Sequence, residues 1–262
     1  MPVSSEIDSN QQAPFKVADD LKWSDLTAAL RAGWSDFRLF PGFGLFFGVV
    51  FAGAGIVLAY VLLVQGQVSW LIPAAAGFPL LAPFTAVGLY EVSRRREAGL
   101  PMSWSAILGA VKGRGDEQIL SMSVIIFVAF GFWVIIAHLV FAIFTAEAGA
   151  GAESLGFLLT PLGMAMLAVG GAIGGLIALA FYAITLVSLP MLVDREVDFL
   201  TAIFASLKAF RENTRVLIVW AIMIVLMLAI AVLTMFVGLL LVLPVLGHAT
   251  WHLYRRTILP IH

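Results

Sequence analysis

"FGLFFGVVFAGAGIVLAYVLLV", Phe43–Val64, runs its whole length without a charged side chain. An apolar, uncharged run of 18 or more residues reads as a helix that crosses a bilayer. Four more runs of this kind follow, Trp70–Tyr90, Ile119–Thr145, one within Leu158–Val193 and Val216–Met235, and then a shorter one, Leu239–Tyr254. The expected fold is therefore all-α: a polytopic membrane protein of six transmembrane helices. Leu158–Val193 is too long for one span, so part of it should tilt, break or leave the lipid, with Pro161 and Pro190 as candidate ends.

Composition agrees with this. The 262 residues are 61% hydrophobic and 12% charged, with a mean hydropathy of +1.03. Soluble domains carry about 25% charged residues. Six spans and their connections use nearly all of the chain and leave no room for a sizeable soluble domain. Residues 1–18 read as a disordered polar tail and residues 19–262 as a single membrane domain. No basic segment followed by a short apolar core precedes the first span, so no cleavable signal peptide is expected. Cysteine is absent, which excludes disulfides and cysteine-ligated metals. The net charge of -1 gives no reason to expect nucleic acid as a partner.

Amphipathic stretches separate the apolar runs. "DDLKWSDLTAALRAGWSDFRLFPG" (Asp19–Gly42) repeats Leu26, Leu30, Gly33, Trp34 and Phe37 at helical spacing, as a helix lying at the membrane surface does. Met102–Val111 and "DREVDFLTAIFASLKAFRENTR" (Asp194–Arg215) are two more. The chain then parses into three units, near residues 19–97, 98–197 and 198–262, each an amphipathic helix followed by a two-span hairpin. "PFTAVGLYEVSRR" from Pro83 and "PVLGHATWHLYRR" from Pro244 align at fixed offsets, with Tyr90 against Trp251 and Arg94–Arg95 beside Arg255–Arg256. Every Lys and Arg falls before span one, between spans two and three, between four and five, or after six. Short loops rich in Lys and Arg stay cytoplasmic, which puts both termini in the cytoplasm.

Four segments carry a family resemblance: "GWSDFRLFPGF" (33–43), "FPLLAPFTAVGLYEVSRRREAGLPMSW" (78–104), "SLPMLVDREVDFLTA" (188–202) and "PVLGHATWHLYRR" (244–256). In these the chain resembles a family of uncharacterised bacterial inner-membrane proteins, a domain of unknown function. Some of its members are labelled putative cytochrome c oxidase subunit. The resemblance implies a multi-pass protein of the bacterial inner membrane and carries no catalytic or ligand-binding residue with it.

Candidate functional residues are few. His138 lies within the third run, and His248 and His252 share a face of the sixth. Ionisable residues in a membrane are functional candidates by default, and imidazoles on facing helices can ligate haem iron or a metal. Ordinary interhelical hydrogen bonding, or for His252 placement at the interface, is the simpler and favoured explanation. The cluster around Arg94 and Arg95, with Glu91, Arg96 and Glu97, suits contact with a partner, ion pairing or anionic headgroups. Asp194, Arg195, Glu196 and Asp198 form a similar group. Gly44, Gly48 and Ala52, and Gly170, Gly171, Gly174 and Gly175, offer small-residue faces for helix packing. Asn213 and Thr214 suit a helix cap. No nucleophile–base or phosphate-loop pattern is present, so the protein is not expected to be an enzyme, and no resident cofactor or metal is expected. The leading expectation is a non-catalytic accessory, assembly or scaffold protein in contact with lipid and other integral membrane proteins. The alternatives are a small transporter or channel, and a respiratory subunit associated with haem or quinone.

Overall fold

Apolar length selects which helices stand in lipid. The computed structural model describes residues 15–65, 82–110, 118–148 and 155–260. Among them, four helices are long and apolar enough to cross a membrane: α2 (Pro41–Val64), α5 (Gln118–Ala148), α6 (Pro161–Asp194) and α8 (Thr214–Leu233). Their outward faces carry exposed Val, Ile, Leu and Phe, such as Val57, Phe127, Leu176 and Val225. Soluble monomers rarely expose contiguous apolar patches beyond roughly a few hundred Å². Lipid is the solvent these faces fit. The protein is a multi-pass, all-α membrane protein.

The remaining elements are shorter. A strand, β1 (Phe15–Val17), leads into α1 (Trp23–Leu39). Next come α3 (Ala82–Glu97) and α4 (Trp104–Gly109), and a 3-10 turn at Leu155–Leu159 precedes α6. After α6 come α7 (Phe199–Glu212), α8, α9 (Leu239–Thr257) and a final strand, β2 (Ile258–Pro260). The two strands pair antiparallel, Phe15 opposite Pro260 and Val17 opposite Ile258. Phe15–Val17 were expected in a disordered tail; Phe15 and Val17 are instead buried.

Six spans in three hairpins is therefore not the architecture; among the described residues about four long apolar helices stand in its place. The expected sixth span is the clearest correction. α9 carries His248, Thr250, His252, Arg255 and Arg256 in its second half, and Leu243–Thr250 is buried without a break. It packs on α1, α2, α3, α6 and α8, so it forms the centre of the protein rather than a lipid-facing wall. The expected second span, Trp70–Tyr90, lies largely outside the described residues. The helix described there, α3, has 16 residues and carries Arg94, Arg95 and Arg96 in its last turn.

Close approach at glycine brings these helices together. A Cβ on Gly33 of α1 would sit 2.6 Å from the Ala249 nitrogen and 2.7 Å from the Val245 oxygen of α9. One on Gly48 of α2 would stand 3.0 Å from the Leu240 Cα.

At 1.5 Å per residue the 34 residues of α6 span about 50 Å, well beyond a hydrocarbon core of about 30 Å. The excess is its C-terminal third, where Leu186–Val193 is buried against α3, α7 and α9. Pro190 lies inside this helix and does not end it; the helix stops at Asp194. Thr160 caps the other end, its hydroxyl accepting from the Gly163 N–H at 3.1 Å ahead of Pro161. The main core gathers where β1, α1, α3, α7 and the polar ends of α6, α8 and α9 meet.

A buried carboxylate cluster as the candidate functional site

Asp36 sits on the inward stripe of α1 with Leu26, Ala29, Gly33 and Phe37, and it is fully buried. A buried carboxylate needs charge and hydrogen-bond partners to offset desolvation. Two other helices supply them. Ser93 of α3 donates its hydroxyl hydrogen to Asp36 Oδ2 at 2.5 Å. His252 Nε2 of α9 lies 2.9 Å from the same oxygen, and Arg96 of α3 pairs with Oδ1. One side chain thus joins α1, α3 and α9.

The cluster extends in two directions. Inward, Ser93 Oγ lies 2.8 Å from His248 Nδ1. A hydroxyl has one hydrogen, and Asp36 takes it, so the serine accepts from His248 Nδ1–H. Both Ser93 and His248 are fully buried. Outward, His252 Nδ1 faces Glu97 Oε1 at 3.3 Å, and Arg255 Nε pairs with Glu97 Oε2 at 3.2 Å. Arg255 also bonds Asp194 at 3.2 Å, and Tyr254 donates to that carboxylate at 2.7 Å, which ties in α6. Burial alone would raise the Glu97 carboxyl, but the His252 hydrogen bond and the Arg255 charge prevail and hold it below its ordinary value.

Serine, histidine and aspartate meet here in an order that differs from nucleophilic catalysis. In that chemistry the serine gives its proton to the imidazole and the carboxylate orients the imidazole. Here the serine gives its hydrogen to the carboxylate. The arrangement orders protons and fixes helices.

The structure brings His248 and His252 into this cluster and places His138 elsewhere, on α5, its ring stacked on Phe141 at 6.3 Å. Among the described residues, no group of three or more His, Asp or Glu side chains is arranged to hold a metal ion. Arg94 grips Glu91 through two 2.7 Å bonds, and Arg95 reaches Glu91 at 3.2 Å and the Pro101 carbonyl at 2.8 and 2.6 Å. All three arginines after Tyr90 are thus engaged within the protein. Gly44 packs on Phe37 and Pro244, and Gly174 lies against the Trp133 ring. A Cβ on Gly170 would meet Val140 at an ordinary 3.6 Å. The glycines of α6 border an apolar groove of about 320 Å³ against α5, lined by Trp133, Ala137, Phe141, Met166, Gly170 and Gly174.

Asn213 makes no cap bond with its side chain. Instead it accepts from the Leu21 N–H at 3.1 Å and donates to the Ala18 carbonyl at 2.6 Å, pinning the segment before α1. Sequence reasoning missed Asp36, Ser93 and Glu97 as parts of one site. One signal was available: Asp36 falls on the apolar stripe of an amphipathic helix, three residues after Gly33 and next to Phe37.

Half of this cluster lies inside a stretch that other proteins share. Residues 71–194 match the family described as "Predicted integral membrane protein (DUF2189)". The match takes in Glu91, Ser93, Arg96, Glu97 and Asp194, and ends where α6 ends. It leaves out Asp36 of α1 and both histidines of α9. It agrees with the resemblance drawn from residues 78–104 and with the spans α5 and α6. No curated protein matches the chain, and no solved structure does.

Proposed function

We propose that the protein is a non-catalytic membrane scaffold or accessory component that presents a rigid multi-span body to another membrane protein. The observation that carries this reading is the use made of Asp36. Its two oxygens are occupied by Ser93, Arg96 and His252, so the buried charge locks three helices together. Ion pairs continue from it to Asp194, and Arg256 joins Asp20 at 2.9 Å on the far side. A transporter would need such a group to exchange partners along a path.

The α5–α6 groove is the contact face we assign to a partner helix. Its small residues let a helix backbone come close, and its lining suits a lipid-buried surface. We place the end that carries the cluster in the cytoplasm, because Lys and Arg concentrate there.

The test is a photocrosslinking amino acid at Leu167, on the groove, in cells expressing the protein at native level. The reading expects a crosslink to one defined membrane protein. That crosslink should disappear in Gly170→Leu, which fills the groove. Lipid adducts alone would overturn it.

A further inference from the structure

α7 wears its amphipathicity inside out for a helix in water. Its buried face is made of small residues: Ala202, Ala205, Ser206 and Ala209. They let α7 lie close on α6. There the Ser206 hydroxyl accepts from the Val187 N–H at 3.1 Å and donates to the Ala183 carbonyl at 2.7 Å. Rotation about the α7 axis is thereby blocked, and its outward face is fixed. That face holds Leu200, Phe204 and Leu207, exposed by 52%, 68% and 40%. They recur at four- and three-residue intervals and form one apolar stripe.

The stripe turns basic toward its C-terminal end. Arg211 continues it one turn on, Lys208 flanks it, and Arg215 follows in the first turn of α8; all three are exposed. Glu212 is the acid beside them and pairs with Arg211 at 3.4 Å on the surface. Among the described residues, Lys208 and Arg215 enter no ion pair. This sets them apart from Arg94, Arg95 and Arg96, which the protein consumes internally. The basic end also sits where α8 enters its apolar run.

We infer that α7 is an interfacial helix that binds an anionic phospholipid. Leu200, Phe204 and Leu207 lie among the acyl chains, and Lys208, Arg211 and Arg215 surround the phosphate. An apolar stripe with cations at the end that joins a span is the pattern of a helix lying in the plane of the interface, apolar face in the acyl chains and cations at the headgroups. Lys and Arg side chains are long enough to carry their charge from the hydrocarbon edge to the phosphate.

The experiment uses the full chain purified in mild detergent and offered phosphatidylglycerol and phosphatidylcholine with identical acyl chains. Native mass spectrometry counts the lipid retained. The parent is expected to retain phosphatidylglycerol preferentially, with the preference falling as salt rises. Lys208→Gln/Arg211→Gln/Arg215→Gln should lose it, by roughly fivefold for each cation removed. Lys208→Gln alone, at a side chain with no internal bond to lose, gives the single step should the triple variant accumulate poorly. Lys208→Arg should restore the parent preference. Phe204→Asn should weaken both lipids alike, since it removes the apolar anchor and leaves the charge. A parent that retains both lipids equally would overturn the inference, as would an undiminished preference in Lys208→Gln or a preference that survives in the triple variant.

Discussion

Asp36 shows how much one side chain can carry when three helices meet on it. Removing a member of a buried ion pair leaves the other charge without compensation, at a loss of about 3–5 kcal/mol. Asp36→Ala strands Arg96 and His252 at once, so its unfolding midpoint in detergent should fall further than that of any single substitution at Ser93. Asp36→Asn keeps the shape and gives up the charge, and should lie between Asp36→Ala and the parent. Equal midpoints for all three would mean that α1 is held by packing alone. Glu97 gives the cluster a pH dependence whose sign is set. Its carboxyl is held below the usual 4.5 in the folded protein, by partners absent from the unfolded chain. The stabilisation is complete above that value and is lost as pH falls through the lower, folded one. A melt series from pH 7 downward should show the parent losing its advantage over Glu97→Gln below about pH 4.5.

Between elements, packing quality is decided by glycines, and two of them should respond oppositely. A Cβ at Gly33 would press on backbone atoms of α9, which cannot swing aside as a side-chain tip can. Gly33→Ala should lower stability by about 1–3 kcal/mol. Gly53 of α2 has nothing within 4 Å of the same position, so Gly53→Ala should leave stability unchanged or raise it by up to about 1 kcal/mol. Unfolding midpoints of the two variants check both signs. The same contrast explains what was legible in the sequence. α2, α5, α6 and α8 announce themselves because hydropathy is a local property of each run. α9 has a similar local pattern up to His248, but its place is set by α1, which lies some 200 residues earlier in the chain. No window along the sequence reports that α1 and α3 cover it, so it reads as one more span. Pro190 misleads for a related reason. A proline near a helix end reads as a stop, yet here α3, α7 and α9 hold the helix together past it.

For the whole molecule, orientation is the property with the sharpest test. Met235 and Glu212 are both exposed and lie just beyond opposite ends of α8, so they must face opposite sides of the membrane. With the cluster in the cytoplasm, an impermeant thiol reagent added to intact cells should label Met235→Cys and leave Glu212→Cys untouched until the membrane is opened. The opposite pattern would invert the orientation. The position of α9 at the centre also governs how the protein is born. α9, the helix that α1 and α2 pack against, is made about 200 residues after them. At roughly 5–20 residues per second, that is a wait of about 10–40 s. Through that interval Asp36 lacks its His252 partner, and α2 lacks the wall that Gly48 is shaped to meet. The growing chain is thus a substrate for membrane quality control until α9 arrives. A chain cut before Leu239 should insert yet be degraded rapidly in a pulse-chase experiment, and α9 supplied as a separate segment should extend its lifetime.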